Sequence, residues 1–148
     1  MSIASRFVPL AVLATTLLAT TGVAHADDRI CRGTISNQTI DGDIKVPRGA
    51  SCVLSNSRLA GTIQSQGAAS VTVRNSTIDG NIQLDKGRRI SLRGNRVDGD
   101  IQLMGNRGSI AVQGNRVDGN LQCKGNSQRP TGGNNRVDGN KEDQCARL

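Results

Sequence analysis

The stretch Asn95-Arg96-Val97-Asp98-Gly99 returns along most of this 148-residue chain. Exact or weaker copies, each ending in Gly, occupy residues 39–42, 58–61, 77–80, 115–119 and 135–139. The final glycines of successive copies are 19 or 20 residues apart, and a fixed period of this length is typical of a solenoid. The sequence therefore predicts that every copy occupies the same place on a successive coil.

Apolar residues keep this period in three short segments per coil. The first segment has two recurring positions two residues apart, the second has pairs two residues apart such as Ile90 and Leu92, and the third has a single residue such as Val97. Alternation with period two is expected of strands with one buried face. The first position of the first segment is occupied by Ile44, Ile63, Ile82, Ile101 and Leu121, and the second by Val46, Leu84, Leu103 and Cys123, with Ser65 as the exception.

Three short strands per coil predict an all-β fold, a right-handed parallel β-helix with about 19–20 residues per coil. An antiparallel sandwich of hairpins is the alternative, but it gives no reason for one residue type to return at this interval. We expect the ends to differ, because an open coil needs a cap. Residues 31–42 should form a partial first coil, and the second strand should be missing between Lys124 and Asn135.

The first 26 residues have the pattern of a secretory signal peptide. Arg6 precedes the mostly apolar run Phe7–Leu18, and Ala24-His25-Ala26 matches a small-x-small cleavage site. The run is too short to span a bilayer as a stable helix, although an uncleaved anchor is the alternative. The sequence predicts one domain, residues 27–148, that is secreted, periplasmic or on the cell surface, with no stable membrane insertion.

Residues 27–148 contain no aromatic residue and no histidine, because Phe7 and His25 are the only ones in the chain. This composition excludes imidazole-based catalysis and zinc binding through His, as well as aromatic platforms for sugars or unstacked bases. We predict no nucleic-acid partner, no metal and no cofactor. Residues 27–148 hold 18 basic and 12 acidic side chains. This excess of positive charge could attract an anionic ligand, but the need of an exported domain for solubility explains it more simply.

Four cysteines, Cys31, Cys52, Cys123 and Cys145, predict two disulfides in an exported chain. Cys31–Cys52 and Cys123–Cys145 are each separated by about one repeat, which brings the members of each pair onto neighbouring coils. We predict these two pairs, one at each end of the solenoid.

Charged residues flank the inward residue of the third strand and form the candidate binding site. These residues are Arg58, Arg96, Arg116 and Arg136, and Asp79, Asp98, Asp118 and Asp138. The arginines are candidates for binding sulfate, phosphate or uronate groups along an anionic polymer. The alternative, which the spacing favours, is an internal ladder of Arg–Asp pairs.

The four aspartates of this candidate site form a column and are also candidate calcium ligands, together with Asp100 and the asparagines at 81, 120 and 140. The simpler interpretation is that Asp-Gly forms a corner, in which Asp bonds its own backbone and Gly accepts a positive φ. A polysaccharide lyase would in addition need long loops to build a cleft, and the coils are too short to supply them. An ice-binding face would need a column of Thr, but the outward positions of the second segment, Val53, Thr72, Ser91 and Ala111, supply a single Thr.

The C-terminal segments Asn120–Asn126, Pro130–Asn134 and Gly139–Cys145 resemble the ending of a group of small exported bacterial hypothetical proteins. The resemblance covers about 26 residues and rests on the spaced cysteines and the Gly-Asn-Lys-Glu-Asp-Gln-Cys sequence. It implies export and paired cysteines, and it implies no activity.

The sequence predicts an exported, non-enzymatic structural or binding module of the bacterial envelope or extracellular space. Its expected partner is an anionic glycan or an envelope protein that contacts the Arg/Asp face. The alternatives are a self-assembling surface element and a carbohydrate-active β-helix enzyme.

Overall fold

The structure, a computed structural model, describes residues 27–148. The predicted signal peptide lies outside the described residues. In chain order the strands are β1 Arg29–Ile30, β2 Thr34–Ser36, β3 Thr39–Ile40, β4 Ile44–Val46, β5 Ser51–Ser55, β6 Arg58–Leu59, β7 Ile63–Gln66, β8 Ser70–Arg74, β9 Thr77–Ile78, β10 Ile82–Asp85, β11 Arg89–Arg93, β12 Arg96–Val97, β13 Ile101–Met104, β14 Ile110–Gln113, β15 Arg116–Val117, β16 Leu121–Lys124, β17 Thr131–Gly133, β18 Arg136–Val137 and β19 Lys141–Asp143.

Every third strand belongs to the same sheet, and all pairing is parallel. The first sheet contains β1, β4, β7, β10, β13, β16 and β19, the second runs from β2 to β17, and the third runs from β3 to β18. Residues 19 or 20 apart are register partners, as in Ile82↔Ile101 and Val97↔Val117. The predicted parallel β-helix with three strands per coil is confirmed.

The core is a continuous aliphatic column enclosed by the three sheets. Ile82, Leu92 and Val97, one from each sheet of a single coil, are fully buried. Burial of a side chain of this size contributes about 1.5–3 kcal/mol. No single coil can enclose its aliphatic residues, so stacking of the coils supplies the stability.

Glycine ends each repeat because the coils approach closely at this corner. A Cβ on Gly80 would lie 2.7 Å from the carbonyl oxygen of Gly61, and one on Gly119 would lie 2.7 Å from that of Gly99. Of the six repeat-ending glycines, only Gly42 has a positive φ. The expectation that this position needs glycine for a positive φ is therefore wrong for the other five, where space is the reason.

Both predicted disulfides are present, Cys31–Cys52 and Cys123–Cys145, with Cα–Cα distances of 5.6 and 5.3 Å. At the C-terminal end, Cys145 and Leu148 are buried against the core. At the other end, Arg29 Nη1 donates to Gln38 Oε1 at 2.6 Å and so links the first strand to the turn before the third.

Residues 31–42 form part of the first coil, as predicted, with β2 and β3, and β1 precedes them at Arg29–Ile30. The expectation about the other end is wrong. The last coil keeps a second-sheet strand, β17, although it has no aliphatic residue. Its backbone pairs with Ala111, Val112 and Gln113, since a parallel ladder needs main-chain groups rather than particular side chains.

Candidate binding surface

The Arg and Asp side chains on the third sheet form a ladder of ion pairs. Arg96 Nε lies 3.0 Å from Asp98 Oδ1 on its own coil, and Arg96 Nη2 lies 2.8 Å from Asp118 Oδ2 on the next. Arg116 repeats this with Asp118 at 3.3 Å and Asp138 at 3.7 Å. Each guanidinium therefore joins two coils.

The two ends of the ladder follow the same pattern with one partner each. Arg136 lies 3.6 Å from Asp138, and Arg58 lies 2.9 Å from Asp79 on the following coil. The structure thus brings all eight sequence-predicted site residues together, with their charges neutralised among themselves. Exposed pairs of this kind contribute little individually, but the linked pairs between Arg96 and Asp138 form a network that orders this part of the surface.

The ladder has a gap at Asp79. Its coil carries Thr77 where the later coils carry Arg, so Asp79 has no arginine two residues before it. Asp79 Oδ1 is buried and accepts no hydrogen bond from the described residues, whereas Oδ2 accepts one from Arg58. The absence of the same-coil arginine explains the unused oxygen.

Three of the candidate calcium ligands, Asn81, Asp100 and Asn120, accept backbone hydrogen bonds from the next coil. Asn81 Oδ1 accepts from the N–H of Asp100 at 2.8 Å, Asp100 Oδ1 accepts from Asn120 at 2.7 Å, and Asn120 Oδ1 accepts from Asn140 at 2.9 Å. The column therefore bonds one coil to the next. Within residues 27–148 no group of three or more His, Cys, Asp or Glu side chains is arranged to hold a metal ion.

The second sheet and the corners on either side of it have a different charge composition. Between the end of each first-sheet strand and the start of the next third-sheet strand, no carboxylate occurs. These segments together form what we call the basic face. It carries nine exposed cations, Arg32, Arg48, Arg74, Lys86, Arg88, Arg89, Arg93, Arg107 and Arg129.

The cations of the basic face lack the compensation seen on the third sheet. Arg74 and Arg93 are register partners on adjacent strands, so their stems are about 4.8 Å apart. Among the described residues, none of the nine cations makes an ion pair. Like charges placed directly opposite each other repel and lower the stability of the fold, and on this face no carboxylate offsets that repulsion.

A concave groove of about 620 Å³ lies at the corner between the first and second sheets, within the basic face. Two small residues, Gly67 and Ala69, line it. Its other lining residues include four cations, Arg48, Lys86, Arg88 and Arg107. No acidic side chain lines it.

Asp85 is the carboxylate next to this groove in sequence, at the end of β10 on the first sheet. Burial raises the pKa of Asp85, while the positive charge of Lys86 and a backbone hydrogen bond from Met104 oppose the shift. On the same sheet, a hydrogen bond and the charge of Asp28 raise the pKa of Lys45.

Buried amide ladders were missed at the sequence level. The asparagines that begin the repeated stretch, Asn95, Asn115 and Asn135, point their side chains inward and are buried. Asn115 Oδ1 accepts from both nitrogens of Asn95 at 3.1 Å, and Asn135 Oδ1 accepts from both nitrogens of Asn115 at 3.0 Å. The sequence signal for this ladder is the return of Asn at the same position on three successive coils.

A second ladder lies below the groove. Asn106 Oδ1 accepts from the N–H of Gly87 at 2.8 Å, and its own amide donates to Asn126 Oδ1 and to the carbonyl of Leu84. Gln144 accepts from Asn126 and ends the series. On the outer side of the first sheet, register partners are Gln64, Gln83, Gln102 and Gln122, and hydrogen bonds run from Gln102 to Gln122 and on to Glu142.

No family model, curated protein or solved structure matches this chain. Within residues 27–148, no helix has the length and apolar character needed to cross a bilayer. Two disulfides indicate an oxidising environment such as the extracellular space.

Proposed function

We propose that the protein is an exported, non-enzymatic binding module that attaches to an anionic polymer of the bacterial envelope through its basic face. The supporting observation is the segregation of charge between the faces. The basic face holds nine cations and no carboxylate, while the remaining described residues hold nine cations and all twelve carboxylates. The net charge of the whole chain, +7, does not convey this separation.

A polyanion is the ligand class that suits this surface. The face has no aromatic side chain for stacking on sugar rings, so charge and hydrogen bonding would provide the attraction. Arginine, which makes up eight of its nine cations, presents a planar fork suited to carboxylate, sulfate and phosphate groups. Along β11, Arg89 and Arg93 are separated by about 13 Å, which is long enough to contact several charges of a polymer.

The proposed contact surface is the basic face, and not the Arg/Asp face of the third sheet that the sequence suggested. Arg58, Arg96, Arg116 and Arg136 already contact Asp oxygens at 2.8–3.7 Å, so a polymer would have to displace those carboxylates. The cations of the basic face need no such displacement. An envelope protein with an acidic surface would be attracted by the same charges.

The export part of the proposal rests on the first 26 residues, on the disulfides and on the resemblance of the C-terminal segments to small exported bacterial proteins. A reducing cytosol disfavours structural disulfides, so the two pairs support an extracellular or periplasmic location.

Two variants with the same change in net charge test which face binds. Arg74/Arg89/Arg93→Gln removes three cations from the basic face, and Arg96/Arg116/Arg136→Gln removes three from the ladder. Retention is measured on an immobilised sulfated or uronic-acid glycan with a rising salt gradient. We expect the first variant to elute at clearly lower salt than the wild type and the second to elute close to it, because only the first loses unpaired charge.

Three results contradict the proposal. If the wild-type protein is not retained at low salt, it does not bind the polyanion and the proposed function is wrong. Equal losses in both variants indicate that net charge alone controls retention. Greater loss in the ladder variant returns the site to the Arg/Asp face. Circular dichroism of each variant confirms that the fold is intact before the columns are compared.

A second candidate function is a self-assembling surface element, and one observation favours it. The strands β1, β2 and β3 lie at the edge of their sheets, and no further strand pairs with them within residues 27–148. Ile30 on β1 is 55% exposed. Open edges pair with other chains, so this function predicts concentration-dependent association in analytical ultracentrifugation. A strict monomer at high concentration would contradict it.

A further inference from the structure

The groove at the corner between the first and second sheets has a regular construction. Five residues occupy the same corner position on successive coils, one or two residues after the first-sheet strands end: Arg48, Gly67, Lys86, Gly105 and Gly125. The coil of Gly67 contributes no side chain at this position, and the coils on either side contribute cations. The groove is thus a notch one coil wide.

A second column forms the opposite wall. Two positions further along, the coils carry Ala50, Ala69, Arg88 and Arg107. Ala69 continues the notch begun by Gly67, and Arg88 and Arg107 continue the line of cations begun by Lys86. The Cα atoms of Arg48 and Lys86 are two coils apart, which is about 10 Å, so their side chains can reach a group held between them.

The side chain of Arg48 extends over the notch. An ideal Cβ on Gly67 would lie 3.4 Å from Arg48 Cγ and 3.7 Å from Arg48 Cζ, so the Arg48 side chain lies across the glycine. The stem of Lys86 leans the same way along the column, towards Gly105 and away from Gly67, and lies 3.9 Å from an ideal Cβ on Gly105. Any larger residue at position 67 would fill the space between the cations.

Lys86 is held in an unfavourable backbone conformation. Its φ is +54°, and its register neighbours Gly67, Gly105 and Gly125 have φ values of +85°, +61° and +65°. Glycine accepts this region without a steric penalty, whereas lysine does not. Strain of this kind is concentrated at functional sites, where it is retained because the side chain is needed.

From this construction we infer that the notch binds a tetrahedral oxyanion, a phosphate group, between Arg48 and the Lys86/Arg88/Arg107 side. The inference rests on the proposed function and specifies where one charged group of the polyanion is recognised. Four cations line the groove and no carboxylate does, so their total charge exceeds what one carboxylate ligand would neutralise. Phosphate offers up to two negative charges and several oxygens, and arginine forks bind it bidentately.

The rigid base of the notch supports this assignment. Gly87, which lies between Lys86 and Arg88, donates its N–H to Asn106 Oδ1 at 2.8 Å, and Asn106 belongs to the buried amide ladder. The backbone that carries the two cations is therefore fixed before a ligand arrives. A preformed site loses less conformational entropy on binding than a flexible one.

The experiment is a titration of folded residues 27–148 with inorganic phosphate, followed by amide chemical shifts in nitrogen–proton correlation spectra. Lys86→Gly removes one cation and gives the position the residue of its column neighbours, so the fold should persist. Ala69→Glu adds a carboxylate to the floor. Arg93→Gln is the matched control, because it removes the same charge at the far end of β11.

We expect phosphate to shift the amides of residues 67–69 and 86–88 in the wild type. Lys86→Gly and Ala69→Glu should weaken binding at least tenfold, Arg93→Gln should stay within threefold, and acetate should bind at least tenfold more weakly than phosphate. Equal effects of Lys86→Gly and Arg93→Gln, equal binding of acetate, or no phosphate-dependent shift would each overturn the inference.

Tripolyphosphate and vesicles of phosphatidic acid in phosphatidylcholine distinguish a soluble source of the phosphate from a lipid headgroup. Binding of either one that is abolished by Ala69→Glu supports the notch. Binding of neither overturns it. This outcome can be separated from that of the proposed function. If only Arg74/Arg89/Arg93→Gln loses glycan retention while phosphate does not bind the notch, the basic face remains the binding surface and only the phosphate site is refuted.

Discussion

Replacement of Asn115 by Ala should destabilise the domain strongly, because this buried amide connects three coils. Its side chain donates to the carbonyl of Leu92 at 2.9 Å and to Asn135 Oδ1 at 3.0 Å, and it accepts from both nitrogens of Asn95 at 3.1 Å. Each hydrogen bond contributes about 1 kcal/mol net, so the loss should be about 4 kcal/mol. For a domain of this size, the melting temperature should fall by about 15 °C.

A graded substitution checks the reasoning. Ser76 occupies the same column two coils earlier, where its Oγ accepts from the N–H of Ser57 and donates to the carbonyl of Arg74. Asn115→Ser can reproduce that arrangement and should therefore lose about half as much stability as Asn115→Ala.

The assay is urea unfolding monitored by circular dichroism, with Gln113→Ala as the control. Gln113 is exposed on β14, close to Asn115 in sequence, and should change the stability by less than about 0.5 kcal/mol. The m-value has to stay constant for the free energies to be comparable. A loss below about 1 kcal/mol for Asn115→Ala, with an unchanged m-value, would refute the view that the amide ladder holds this corner.

The remaining predictions concern the surface and the C-terminal end. Replacing both Cys123 and Cys145 by Ser should cost about 3 kcal/mol in the chain-entropy model, measured by urea unfolding; an unchanged midpoint would show that the last coil is held without the bond. Thr77→Arg should complete the ladder beside Asp79 and raise stability by up to about 1 kcal/mol, an effect that 1 M salt should reduce. Asp85→Asn should raise the melting temperature at pH 7 and lose that advantage near pH 3. Burial raises the folded-state pKa of Asp85, so its ionised form is the costly one, and the cost disappears as the carboxyl is protonated. A gain that persists at pH 3 would contradict this cause.

Much of the fold could be predicted from the sequence because the solenoid repeats its contacts. The interval between glycines gives the register, so Ile82 above Ile101 and the two Cys pairs follow without long-range information. The ends were harder to predict. β17 lacks aliphatic residues, and its membership of the second sheet depends on backbone pairing with β14, which leaves no side-chain pattern.

The candidate site was predicted only in part. The eight Arg and Asp residues of the third sheet do come together, as their spacing indicated. The basic face has no comparable pattern, because its cations share a position on at most two coils, as Arg74 and Arg93 do. The charges of the repeated stretch recur on most coils and are paired, whereas the charges that recur least are free.

The sequence by itself determined the coil, its period, its aliphatic core and its two disulfides, since each of these depends on residue type at a fixed interval. Only the tertiary structure decided which charges are neutralised. Neutralisation depends on what stands about 4.8 Å away on the next coil, and there Arg96 meets Asp118 while Arg74 meets Arg93. The repeated stretch therefore builds the rod, and the side chains that depart from the repeat give it a surface that can attract an anion.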